Sequence, residues 1–196
     1  MNINDIINSI KEELELKDKR REEVFVEARE IRRLSTKAIR EIHKEDYDVA
    51  EEIIAGLKKR VKNLNSMDLT FSFLQEALQE YSEAALTYRF LKKKELPSPS
   101  ELAVPPEAYA LGLADSLGEI RRYILDTIRR GNFDDVEYFL DLMDELYHHI
   151  VAFDYPSAII PIKRKQDIAR AVLEKTRGDV TMALRQAELE KKLKKV

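Results

Sequence analysis

Apolar residues recur along this chain every three or four positions rather than every second one, so each sizeable element that the pattern predicts is a helix. Over 3–44 the stripe runs Ile6, Ile10, Leu14, then Val24, Ala28, Ile31, Ala38 and Ile42. The almost purely charged run 17–23 between its two halves predicts a bend or a change of register. A second helix over about 46–65 carries Val49, Ile53, Ile54, Leu57, Val61 and Leu64 inward. Asn63, Asn65 and Ser66 end it, and Asp68 or Thr70 can cap a third over about 69–93. That third helix buries Leu74, Ala77, Leu78, Tyr81, Ala84, Ala85, Tyr88 and Leu91.

The connector 92–106 holds one helical turn, because Ser98, Pro99 and Glu101 form a capping-box signature. Pro106 suits a first helical position and Glu107 faces the positive end of the dipole, so 106–130 is the most firmly specified helix. Its buried stripe is Ala110, Leu113, Ala114, Leu117, Ile120, Ile124 and Ile128. Gly131 is a natural stop, Asn132 caps a helix over 133–151, and Pro156 starts another through about 174. Gly178 interrupts there, and Asp179 caps a terminal helix rich in lysine at its end. The expectation is an all-α fold, one bundle of long antiparallel helices in a single domain over 1–196.

Composition narrows the function classes. With 196 residues and 44% hydrophobic content the chain supports one well-buried core. It has no cysteine, which removes disulfide and thiolate chemistry. No apolar run approaches the ~20 residues that span a bilayer, and the start lacks the basic and apolar regions of a signal peptide. A soluble, cytoplasmic protein without a membrane partner is expected. The net charge of −3 speaks against a generic duplex binder, unless the cations are segregated onto one face or the interior of an assembly.

Charge placement then supplies the candidate chemistry. Glu76, Glu80 and Glu83 fall within roughly 60° of one another on the third helix, with no Lys or Arg three or four residues away in that helix. Asp115 and Glu119 share the polar side of the 106–130 helix. If the two helices pack side by side, these acids supply the oxygen ligands that Mg²⁺ or Mn²⁺ requires, and a metal there suits phosphodiester hydrolysis. On the first helix Arg29, Arg32, Arg33, Lys37 and Arg40 line one side, either as a solvated face paired with its own glutamates or as a phosphate-binding strip. A competing metal site uses Glu145 and His148 with Asp141, Asp144 and His149 nearby, but a di-iron bundle needs two such Glu-x-x-His pairs and His43 has Arg40 three places before it. Tyr81, Tyr88, Phe90 and Phe71 could stack bases, although Tyr81 and Tyr88 sit at core spacing. No Gly-rich phosphate loop, Gly-x-Ser-x-Gly or Cys/His pair is present.

Three segments carry a resemblance: Leu78-Gln-Glu-Tyr-Ser-Glu-Ala84, the stretch from Pro106 to Arg122 with Ala-Asp-Ser-Leu-Gly-Glu at its centre, and Phe25-Val-Glu-Ala-Arg-Glu-Ile-Arg-Arg-Leu-Ser-Thr-Lys37. Phe153-Asp-Tyr-Pro156 and Arg177-Gly-Asp-Val180 agree more weakly. Together they resemble the translin family and, within it, the type of translin-associated protein X. The resemblance implies a seven-helix fold that assembles into hollow octamers around single-stranded RNA or DNA. It also implies a Mg²⁺-dependent endoribonuclease with its acids at Glu80, Glu83, Asp115 and Glu119, and with Glu76 as a further candidate. Members of the translin type lack the full acidic set and bind without cutting, so the alternative is a non-catalytic capsule. A homo-oligomer is expected for this chain, with the strip from Arg29 to Arg40 facing its interior.

Overall fold

The computed structural model describes residues 2–64 and 71–194, and the caps expected at Asn65, Ser66, Asp68 and Thr70 lie outside them. Seven helices follow in order: α1 (Ile3–His43), α2 (Tyr47–Leu64), α3 (Ser72–Leu91), α4 (Pro99–Leu102), α5 (Pro106–Arg129), α6 (Val136–Val151) and α7 (Lys163–Leu193). Among the described residues there is no strand, and no helix is long and apolar enough to cross a membrane.

Helices α3 and α5 form the centre. α1 packs on α3 with α2 against it, while α6 and α7 cover the other side of α5. The core has two parts. One gathers Val24, Ile31, Leu57, Val61, Leu74 and Tyr81 around α1, α2 and the start of α3. The other gathers Leu86, Leu117, Ile120, Ile124, Phe139 and Met143 around α5, α6 and α7.

Local chemistry accounts for several boundaries. The Ser98 hydroxyl accepts from the Glu101 N–H at 3.2 Å while the Glu101 carboxylate accepts from the Ser98 N–H at 2.7 Å, which closes the capping box of α4. At the end of α5, Gly131 takes φ +73°, its N–H reaches the Ile128 carbonyl, and the next N–H reaches that of Thr127. That pair of bonds is the Schellman stop, and its left-handed residue is cheapest as glycine.

Four expectations change. α1 runs unbroken through the charged stretch 17–23, but every residue from 2 to 23 is exposed and burial starts at Val24. On α2, Val49 faces solvent. The Asn132 side chain accepts from the Asp134 N–H within a turn, and α6 begins only at Val136. The largest change is at the C-terminus. Pro156 opens a turn, its carbonyl accepting from the N–H groups of Ile159 and Ile160, and α7 then runs straight through Gly178. The reason is that Ala169, Leu173, Thr176 and Val180 form one buried line across that glycine, and Asp179 is held by Arg121 of α5 instead of capping.

Two glycine substitutions separate the roles that packing assigns. A Cβ on Gly178 meets nothing within 4 Å, so Gly178→Ala should stabilise the chain by about 0.5–1 kcal/mol, read as a Tm rise of a few degrees. A Cβ on Gly112 would lie 2.7 Å from the Gln79 carbonyl oxygen, so Gly112→Ala should cost about 1–3 kcal/mol. Thermal melts of both variants check this, and a loss of stability in Gly178→Ala would mean that the last helix is broken there.

Candidate active site

The meeting of α3 and α5 at Gly112 builds the site. A Cβ there would also lie 2.7 Å from Ser82 Cβ and 2.8 Å from the Glu83 backbone nitrogen, so the two backbones touch with no side chain between them. Ser82, fully buried, satisfies its hydroxyl on the Leu78 carbonyl at 2.8 Å. With the axes this close, Glu80 and Glu83 on α3 come alongside Asp115 and Glu119, which follow Gly112 by one and two turns on α5.

Each acid then meets a different partner. Both oxygens of Asp115 accept from Lys165 Nζ of α7, at 2.5 and 2.6 Å, and Oδ2 also accepts from Gln79 Nε2 of α3 at 2.5 Å. Glu119 accepts a hydrogen bond from His43 Nε2 at the end of α1, whose side chain is only 5% exposed. Glu80 accepts from Arg32 Nε at 2.9 Å, and Glu76 lies 3.6 Å from the same guanidinium. Glu83 hydrogen-bonds to no described residue. Burial first, then the neighbouring Asp115 and Glu119 carboxylates, push its pKa up to about 8, against a smaller opposing pull from Lys165.

The donor set fits a hard divalent cation in its chemistry. Carboxylate oxygens are the ligands that Mg²⁺ and Mn²⁺ prefer, and a carboxyl held protonated by burial among other acids marks a local excess of negative charge that a cation would relieve. Among the described residues no three acid or histidine groups already stand in coordination geometry, since Lys165, His43 and Arg32 hold the acids instead. Binding a metal would therefore exchange one set of counter-charges for another.

The strip on α1 is not uniform. Arg32 is committed to the acids of α3, Arg33 pairs with Glu30 at 2.7 Å, and Arg29 lies over the Phe25 ring. Lys37 and Arg40 are exposed, and Arg40 turns toward a groove shared with α5. At the competing site Glu145, His148 and His149 are all exposed, His148 Nδ1 is bonded to the Asp144 carbonyl, and Asp144 is paired with Arg177. The sequence holds no second Glu-x-x-His pair to complete that site. Tyr81, Tyr88 and Phe90 are buried in the core, out of reach of a base, and Phe71 stacks on Phe73.

His43, Lys165 and Gln79 are the site residues that the sequence did not single out. Gln79 stands inside the Leu78–Ala84 motif, beside two acids of the same helix. His43 follows the last buried residue of α1, Ile42, and Lys165 lies one place before buried Gln166. Position on a helix edge was the only available signal.

No family model matches the chain. Over 98% of its length it is 36% identical to the uncharacterized protein MJ0175 of Methanocaldococcus jannaschii, of which it covers 89%. The crystal structure of AfC3PO superposes with a TM-score of 0.84 at 27% identity, covering 92% of this chain and 97% of that one. The complex of AfC3PO with duplex RNA gives a TM-score of 0.81 over the same shares and at the same identity. Apo-NeC3PO, at 24% identity and a TM-score of 0.80 over 90% and 96% of the two chains, shares the fold.

The raised pKa of Glu83 fixes a sign for stability against pH. Between the ordinary carboxylate value of 4.5 and about 8 the folded chain keeps a proton that the unfolded chain has released, so stability in chelator should fall as pH rises across that window. Glu83→Gln should flatten the slope, and melts at a series of pH values measure it. An equal slope in both proteins would remove Glu83 as the cause.

Proposed function

The chain belongs to the translin family, and from that premise we propose that it is a metal-dependent endoribonuclease. The observation that carries the proposal is the convergence of four acids from two helices, with the Glu83 carboxyl half-buried among the other three. RNA as the substrate is supported by the likeness to AfC3PO, which has been determined in complex with duplex RNA.

In this reading Asp115, Glu119, Glu80 and Glu83 would hold Mg²⁺ or Mn²⁺, with Glu76 at the edge, and a cation held there would supply Lewis acidity toward a phosphodiester and a bound water of lowered pKa. Glu83, which desolvation and the neighbouring Asp115 and Glu119 carboxylates hold protonated without a cation, would give up that proton on taking one up. Lys165 and His43 stand beside Asp115 and Glu119, where they compensate the carboxylates and can hold non-bridging phosphate oxygens once those carboxylates turn to a cation. Arg32 keeps Glu80 oriented from the α1 side.

We also propose that the chain works as a homo-oligomer. Beyond the charged run 17–23, α1 carries a second apolar stripe toward the N-terminus, Leu14, Ile10, Ile7 and Ile3, and these four are exposed. An apolar stripe standing outside the core supports pairing with another copy, as the hollow octamer of the family would provide. Light scattering should give a mass several times 22.9 kDa, reduced in the double variant Ile10→Asp, Leu14→Asp. A monomer at micromolar concentration would refute it.

The catalytic proposal is tested with end-labelled single-stranded RNA and a duplex control. Asp115→Asn and Glu83→Gln should lower the cleavage rate by about 100-fold or more while RNA is still retarded on a gel. Mg²⁺ should raise the Tm of the parent protein at pH 8 and leave that of Asp115→Asn nearly unchanged. Undiminished cleavage in both variants, or cleavage insensitive to EDTA, would leave only the non-catalytic capsule.

A further inference from the structure

Beside Glu119 lies a groove of about 620 Å³ between the end of α1 and the second half of α5. Its walls carry six Arg and Lys side chains, Arg40, Lys44, Arg121, Arg122, Arg129 and Arg130, together with His43, against one carboxylate, Asp126. Glu41, Glu45, Glu119 and Asp179, just outside that lining, pair with Lys44, Arg130, Arg122 and Arg121, so the groove's attraction for a polyanion depends on how free each cation is.

The cations differ in how free they are. Arg121 is fully engaged, with hydrogen bonds to Thr176 at 2.9 Å and Asp179 at 2.7 Å that fasten α7 to α5. Lys44 pairs with Glu41 and Arg129 with Asp126, carboxylates only 12% and 30% exposed, and Arg130 pairs with exposed Glu45; the three cations are themselves exposed, where an ion pair is worth little and exchanges readily. Arg122 has only Glu119, at 3.9 Å, beyond hydrogen-bond reach, and Arg40 pairs with no described residue. The floor is the second observation. Gly118 lines the groove in the middle of α5, where glycine costs about 1 kcal/mol against alanine, and a Cβ on it would meet nothing within 4 Å. Like Gly56 and Gly178 it has no packing reason, and what sets it apart is its place in this groove beside Glu119. What it leaves is open backbone next to Glu119.

We propose that this groove carries the phosphates of the RNA strand adjoining the bond that is cut, held by Arg40, Arg122 and Arg129, with Gly118 as the opening in its floor. From Gly118 to Arg129 the helix advances about 16 Å, the reach of a few nucleotides. The strand therefore leaves the acids along α5 and the end of α1, and Arg29 and Arg33 lie off its path. The assignment rests on the endoribonuclease reading for its substrate, but its test needs no cleavage.

Binding of a fluorescein-labelled oligouridylate is followed by anisotropy in EDTA across a salt series. Each of Arg40→Gln, Arg122→Gln and Arg129→Gln should lower the slope of log affinity against log salt by about 0.7, the value for one phosphate contact on a single strand. Arg29→Gln and Arg33→Gln should leave the slope unchanged. Gly118→Leu should weaken binding without lowering the Tm, which separates a filled groove from a damaged fold. If the parent binds and the groove variants keep its slope, or the α1 variants lose it equally, the groove is not the track while the nuclease reading stands. If the parent shows no salt-dependent binding at all, both fall together.

Discussion

The contact that everything else depends on is the missing side chain at Gly112. Two helix backbones approach at that point, with the Gln79 carbonyl and the Glu83 N–H where a Cβ would have to go. Helices with full side chains pack about 8–10 Å apart, and small residues allow them closer. Because α3 and α5 touch here, the polar edges of both helices meet just beyond the contact, and those edges carry acids. The same approach shields Glu83 from water, which is why its proton is held so far above the usual carboxylate range.

Bringing like charges together has a cost that the rest of the fold offsets. Asp115 draws Lys165 from α7, Glu119 draws His43 from α1, and Glu80 draws Arg32 from the middle of α1. Each pair joins a different part of the bundle to its centre, so the acids act as a hub for tertiary contacts as well as a candidate ligand set. Of the four, Glu83 is left without a described partner. A site arranged in this way has counter-charges that can be exchanged, and that is the property a cation-dependent centre needs.

α1 serves three regions in turn. Its first part stands outside the bundle with an apolar seam exposed, its middle buries against α2 and α3 and supplies Arg32, and its end supplies His43 to the acids and Arg40 to the basic groove. A continuous rod of 41 residues can connect the exposed apolar stripe, the core and the site, because helical geometry keeps all three in fixed relation.

Much of this was decided by the sequence alone. The periods of three and four specify helices, Ser98 with Glu101 and Gly131 specify two of their ends, and the acid rows of the third helix and of the 106–130 helix follow from spacing that no tertiary contact can alter. What the tertiary structure decided was everything that depends on partners distant in the chain. Gly178 stays helical because the buried line from Ala169 to Val180 outweighs a local break. Arg32 meets Glu80 and Glu76 because α1 lies on α3, and His43 and Lys165 join the site from 76 and 50 residues away in sequence. Local patterns fix which face of a helix a side chain occupies; only packing fixes what that face meets.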